Sequence, residues 1–277
     1  HSTSRRQRQM CIRDRYTIHH AGGETTIAVN QTMGGGTWIY LGNFKFTAHE
    51  QAHERIVLTN QSNKSGKIIT ADAIKIGGGM GNIARSPLES PYPIEAETSG
   101  YPRFTEAARY WLQWAGIPDS IYSKSAFRND YQDDIYARPQ WVNYLKEQTH
   151  IPIDMAFAFH SDAGTTPDDS IIGTLGIYMS KSNDGIYTNR KSREIARDLT
   201  DMIQTQILSD VRKVYNPQWS RRGMWNQSYI EARIPDVPTM LLELLSHQNF
   251  ADMRYGLDPR FRFLICRAIY KGMLRYI

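Results

Sequence analysis

The sequence is poor in the features that mark several protein classes. Cys11 and Cys266 are the only cysteines among 277 residues, which excludes a disulfide framework and a cysteine-based zinc site. No apolar run approaches the roughly 20 residues that a membrane-spanning helix needs, so an integral helical membrane protein is excluded. There is no internal repeat and no low-complexity tract. Nor is there a pervasive excess of base, although the formal net charge is +5 and the pI near 9.1. Arg5, Arg6, Arg8, Arg13 and Arg15, against Asp14 alone, put four of those five charges in the first 15 residues. The rest is close to neutral, which removes the electrostatic case for nucleic acid.

What is present is ample: 40% hydrophobic residues over this length can bury a full core, so neither disorder nor a mini-protein scaffold fits. Residues 1–15 have no apolar h-region and no secondary-structure period. They resemble arginine-rich translated adaptor sequence, notably in Gln9 to Arg15, and are set apart as an artefact or foreign tail, the alternative being a functional basic arm. On that reading the natural chain begins upstream of Tyr16 and the protein is a fragment.

Two different patterns follow. From residue 16 to 76, short runs rich in β-branched and aromatic residues alternate with Gly, Asn and Ser: Tyr16 to His19, Thr25 to Val29, Trp38 to Phe46, Ile56 to Thr59 and Ile68 to Ile76. They predict antiparallel β-structure, part of an all-β sandwich, short of the roughly 100 residues such a sandwich usually takes. Residues 77–102 predict a linker or loop. From 103 to 277, helices are expected over Phe104 to Ala115, 134–147, Ser192 to Val214 and Pro259 to Tyr276. Buried strands are expected over Ile153 to Phe159, Ser170 to Met179 and Val237 to Leu245. This alternation predicts an α/β domain, a central sheet with helices on both faces.

Two strand ends carry the chemistry. The run Ile153 to Phe159 stops abruptly at His160-Ser161-Asp162-Ala163-Gly164, placing an imidazole at the carboxyl edge of a sheet, where open α/β sheets bind ligands; a loop-capping histidine is the plain alternative. In Thr239 to His247, Glu243 interrupts an apolar strand. Buried and ionised, it requires a cation, a metal-bound water or a donor network, or else a salt bridge such as one to Arg233. Asp162 opens a polar loop, Asp162 to Asp169, that is a candidate substrate contact, and its own carboxylate either orients the imidazole or caps the turn. Arg221, Arg222 and Arg233 either recognise a substrate carboxylate or are surface charges. The cluster Asn129 to Asp134, followed by Arg138 and Asn143, reads most simply as a helix N-terminus whose acids complement its dipole, the alternative being a metal role. Trp38 and Tyr40 either stack on sugars or belong to a core.

The segments Phe157 to Gly164 and Pro238 to Asn249 resemble the strand ending in His-Ala-Asn-Ala and the strand ending in Glu-x-x-Phe-x-Ser-Asn of the zinc-dependent N-acetylmuramoyl-L-alanine amidases. That resemblance implies an amidase-like α/β fold, zinc ligation by His160 and a general acid/base role for Glu243. It also implies metal-assisted hydrolysis of an amide in peptidoglycan by a secreted, periplasmic or cell-surface protein. Tyr16 to Gly23, Gly35 to Gly42 and Ile69 to Ile74 resemble the golvesin and xanthan-lyase type β-domain, which implies a polysaccharide-binding module. The amidase family's earlier Gly-His-Gly motif and its following Glu have no counterpart before His160, so the remaining zinc ligands are expected upstream. His247 is the spare ligand candidate, while His19, His20, His49 and His53 belong to the β-half. Two other functions stay open: a non-catalytic carbohydrate-binding protein, and a polysaccharide lyase, for which no Tyr/His/Arg constellation is seen.

Overall fold

A computed structural model describes residues 14–31, 38–47, 53–60, 69–76, 101 and 103–277. The chain divides into two compact units, residues 1–130 with 144–151, and residues 131–143 with 152–277. Residues 1–13 of the expected tail over 1–15, His49 and nearly all of the expected loop over 77–102 lie outside the described residues.

In the first unit β1 (Asp14–His20), β2 (Gly23–Val29) and β3 (Arg55–Leu58) form an antiparallel sheet in the order β2-β1-β3. Gly23 takes a positive φ of 123° at the tight β1–β2 turn, a conformation suited to glycine. Ile18 is the buried anchor of β1, whereas Thr17 and Thr26 face each other across the ladder and bond through their hydroxyls. Two expected strands do not form. Residues 38–47 and 69–76 carry no strand, and Ile68 lies outside the described residues. The aromatic density that favours β-structure there serves another purpose. The Trp38 amide donates to the Ala115 carbonyl, and the Tyr40 ring meets Trp111 and Trp114 edge-on. Those tryptophans belong to α1 (Ala108–Trp114), which stops at Gly116 in a left-handed conformation (φ 76°). Phe104 stacks on Trp114. Residues 103–130 thus belong to the same compact unit as the β-rich half, so the unit boundary falls beyond residue 103.

A short helix α2 (Asp119–Tyr122) precedes α3 (Asp130–Glu147), whose residues 131–143 belong to the second unit. That unit is built on a mixed sheet of β4 (Ala156–Asp162), β5 (Thr174–Tyr178), β6 (Arg221–Asn226) and β7 (Thr239–Ser246), in the order β4-β7-β5-β6. β7 runs parallel to β4 and antiparallel to β5, and β5 runs parallel to β6.

Alternation along β7 sorts its side chains between two faces. Met240, Leu242 and Leu244 join the main core with Leu199, Ile203, Ile207 and Val211 of α4 (Ile195–Val214) and Phe261, Leu264 and Ile265 of α7 (Pro259–Tyr276). On the opposite face, Leu241 packs with Leu175, Ile177 and Ala158. That face also receives α5 (Ile230–Arg233) and the Arg138 side chain of α3. The expected sheet with helices on both faces is what forms, together with an N-terminal antiparallel sheet.

Candidate active site

His160 and Glu243 face each other across the parallel β4–β7 ladder as direct register partners. The apolar runs that carry them pair because both are buried strands, and pairing in this register brings the two side chains to one face. The two carboxyl oxygens of Glu243 are not equivalent: Oε2 is buried without a hydrogen-bond partner. Burial pushes the carboxyl's pKa up; His160 opposes this and Asp162 adds to it.

The residue that engages His160 directly is Glu231 of α5, which accepts from Nε2 at 2.8 Å. This hydrogen bond holds the imidazole above its ordinary pKa, against the opposing cost of burial. It also assigns the Nε2 proton toward Glu231 and leaves Nδ1 as the nitrogen available to a ligand. Behind Glu231 stands Arg138, 3.5 Å from its Oε2, which is itself paired with Asp134 one helical turn earlier. Asn143 of α3 fixes the approach to β7 by donating to the Ile234 carbonyl (3.1 Å) and accepting from the Asp236 amide (2.8 Å). The result is a line of alternating charge, Asp134, Arg138, Glu231 and His160, that ends beside Glu243.

Asp162, the next residue on β4 to share the His160 face, is ion-paired with Arg222 of β6 and accepts from the Gly164 amide. Of the local roles expected for Asp162, capping the turn or orienting His160, the hydrogen bond from Gly164 matches the cap, and the carboxylate also pairs with Arg222. Arg233 is half-buried at the end of α5 and, among the described residues, makes no ion pair with Glu243, so the salt bridge that would have made Glu243 structural is absent there. His247 Nδ1 lies 3.1 Å from Ser161 Oγ. His19 pairs with Glu24 and His20 bonds Thr25, so both are taken up by the β1–β2 hairpin.

A catalytic zinc takes about three protein ligands. Among the described residues no group of three or more His, Cys, Asp or Glu is placed to hold a metal, and His160 gives one nitrogen to Glu231. The described residues therefore do not amount to a zinc site.

Sequence reasoning missed Glu231 and the role of Arg138. The i,i+4 spacing of Asp134 and Arg138 was visible, but it reads as an ordinary exposed pair. Glu231 stands about 70 residues from its partner, in a stretch that draws attention for its arginine, and no local signal joins it to His160.

The family model of the golvesin C-terminal domain matches residues 4–78. The match begins inside the arginine-rich opening segment, and β1 itself begins at Asp14, ahead of Tyr16. No curated protein matches the chain. Among solved structures, an N-acetylmuramoyl-L-alanine amidase of Nostoc punctiforme is 15% identical, with 47% of this chain and 61% of that chain covered and a TM-score of 0.36. An amidase from Clostridioides difficile, solved in complex with a lipoprotein, is 14% identical over 63% of this chain and 82% of its own, with a TM-score of 0.41. An N-acetylmuramyl-L-alanine amidase from Mycobacterium smegmatis is 17% identical over 64% and 77%, with a TM-score of 0.40. The chain thus spans less than two thirds of the Nostoc amidase.

Proposed function

We propose that the protein is, or is part of, an amide hydrolase of the N-acetylmuramoyl-L-alanine amidase type acting on peptidoglycan outside the cytoplasm, with its β-rich half a glycan-binding module. The observation that carries this reading is Glu243: a carboxyl with one buried, unpartnered oxygen, raised in proton affinity, beside His160 at the edge of a sheet. Such a group is suited to take a proton from an attacking water and return it to the departing amine. His160 is held in one orientation by Glu231, and its Nδ1 is the nitrogen proposed for zinc; no step is assigned to a metal, because the described residues do not complete its ligand set. Asp162 and Arg233 are proposed as substrate contacts, Asp162 through the arginine it orients. No helix among the described residues is long and apolar enough to cross a membrane.

The test is muropeptide hydrolysis by the longest natural form of the protein. Glu243→Gln keeps the shape and removes the proton carrier, and is expected to lower the rate by about 10²–10⁴-fold; undiminished hydrolysis would overturn the assignment. The incomplete ligand set favours a second reading, a non-catalytic carbohydrate-binding protein. Stoichiometric zinc in the purified chain argues against that reading, and glycan binding without zinc supports it.

A further inference from the structure

The C-terminal helix carries a second surface, on the side turned away from the sheet. Phe261, Leu264, Ile265, Ala268, Ile269 and Gly272 of α7 are buried against the core. At about 100° per residue, Phe263, Tyr270 and Leu274 fall within about 40° of one another on the opposite side. They are 70%, 61% and 55% exposed, an apolar line pointing straight into solvent on a rigid 18-residue helix. Arginines border it: Arg260, Arg267 and Arg275 on one flank and Arg262 on the other, all exposed. Among the described residues none of these four is ion-paired; the one acid that meets a cation of α7 is Asp210, which takes Lys271.

The charge decides what can cover this face. A second copy would set four unpaired arginines against four, which like-charge repulsion disfavours. A polyanion with no apolar part would satisfy the arginines and leave Phe263, Tyr270 and Leu274 in water. A phospholipid surface satisfies both: headgroup phosphates take the guanidinium groups, whose stems lie along apolar surface, while the aromatic and aliphatic side chains enter the acyl boundary. The geometry points to α7 as a docking face for an anionic phospholipid membrane. This inference does not depend on the amidase reading, since α7 contributes no side chain to the His160–Glu243 site.

The experiment is flotation of the full chain with vesicles of phosphatidylcholine and phosphatidylglycerol at three to one, compared with phosphatidylcholine alone. The chain floats with the mixed vesicles and not with the neutral ones, and its binding falls as salt is raised. The α7 variants are made with the arginine-rich opening segment intact, so that any attraction of its charge for lipid is the same in every arm. Arg260→Gln with Arg267→Gln weakens binding by about fivefold per arginine. Phe263→Ser with Leu274→Ser weakens it as well and leaves the salt dependence in place. All four positions are exposed, so thermal unfolding is unchanged in both variants. Wild-type flotation by either pair would assign the binding to another surface and overturn the inference. Equally tight binding to poly-glutamate, lost with the same variants, would overturn it in favour of an acidic polypeptide partner.

Discussion

Glu243 sets two properties against each other. Its buried, unpartnered oxygen costs stability, and the same burial gives the carboxyl its raised proton affinity. In the unfolded chain this group ionises in the ordinary carboxylate range. In the folded chain it holds its proton longer, so the cost appears as pH rises through that range and persists at neutrality. Glu243→Leu, flanked by Leu242 and Leu244 in an apolar strand, is therefore expected to stabilise the protein at pH 7 by about 1–2 kcal/mol while abolishing hydrolysis. Urea unfolding checks it, and a destabilised Leu variant would mean that the carboxylate is satisfied in the native state. Glu231 is the opposite case. It satisfies both His160 and Arg138, so Glu231→Ala is expected to cost about 1–3 kcal/mol in the same measurement.

Between elements, close approach of backbones is the limiting feature. Gly272 lies where α7 crosses α4, and a methyl group there would meet the Ile203 Cα at 2.6 Å, a contact with backbone that no side-chain rotation relieves. Gly272→Ala raises helix propensity in α7, yet the steric term dominates and a loss of about 1–3 kcal/mol is expected by thermal or urea unfolding. The end of β7, which carries Glu243, is tied to the approach to β5 by Asp252 of α6 (Phe250–Gly256), which accepts from the amides of Ser246 (2.9 Å), Ile172 (3.0 Å) and Gly173 (3.4 Å). What the sequence revealed follows from the range of these interactions. The apolar runs of β4, β5 and β7 and the helices α4 and α7 are local patterns and each was legible, although β4 starts three residues later than expected and runs on through His160 to Asp162, and β5 starts four residues later. β6 was not legible, because Arg221 to Asn226 is an edge strand with a polar pattern and a register shift beside Gly223, and one partner suffices for it. In the site, His160 announces itself by ending an apolar run and Glu243 by interrupting one. Glu231 and Arg138 interrupt nothing and acquire meaning only from pairing across about 70 and 93 residues. The residues from Trp38 to Phe46 misled for a related reason, since aromatic side chains that favour strands serve equally well against the tryptophans of α1.

For the molecule as a whole, the long-range question is what limits the folded state at high pH. Tyr187 is 2% exposed, and burial pushes its hydroxyl up to about 12, with Arg193 opposing and Tyr276 and Asp236 adding to the rise. The Arg193 guanidinium lies 4.4 Å from the ring centroid, so the ring itself is held as a cover for a buried cation. In the unfolded chain the phenol ionises near pH 10, and in the folded chain it stays protonated to about 12. Above pH 10 the unfolded state therefore gains by losing a proton that the native state retains. Tyr187 leaves stability untouched below that pH and lowers it progressively up to about 12, by about 2–3 kcal/mol in all. Tyr187→Phe keeps the ring over Arg193 and deletes the ionisation, so it separates the packing role from the titration. The variant should match the wild type in urea unfolding at pH 8 to within about 1 kcal/mol and exceed it at pH 11 by a margin that grows with pH. Parallel decline of the two proteins between pH 10 and 12 would show that Tyr187 is reached by solvent in the native state and that its burial does not govern alkaline unfolding.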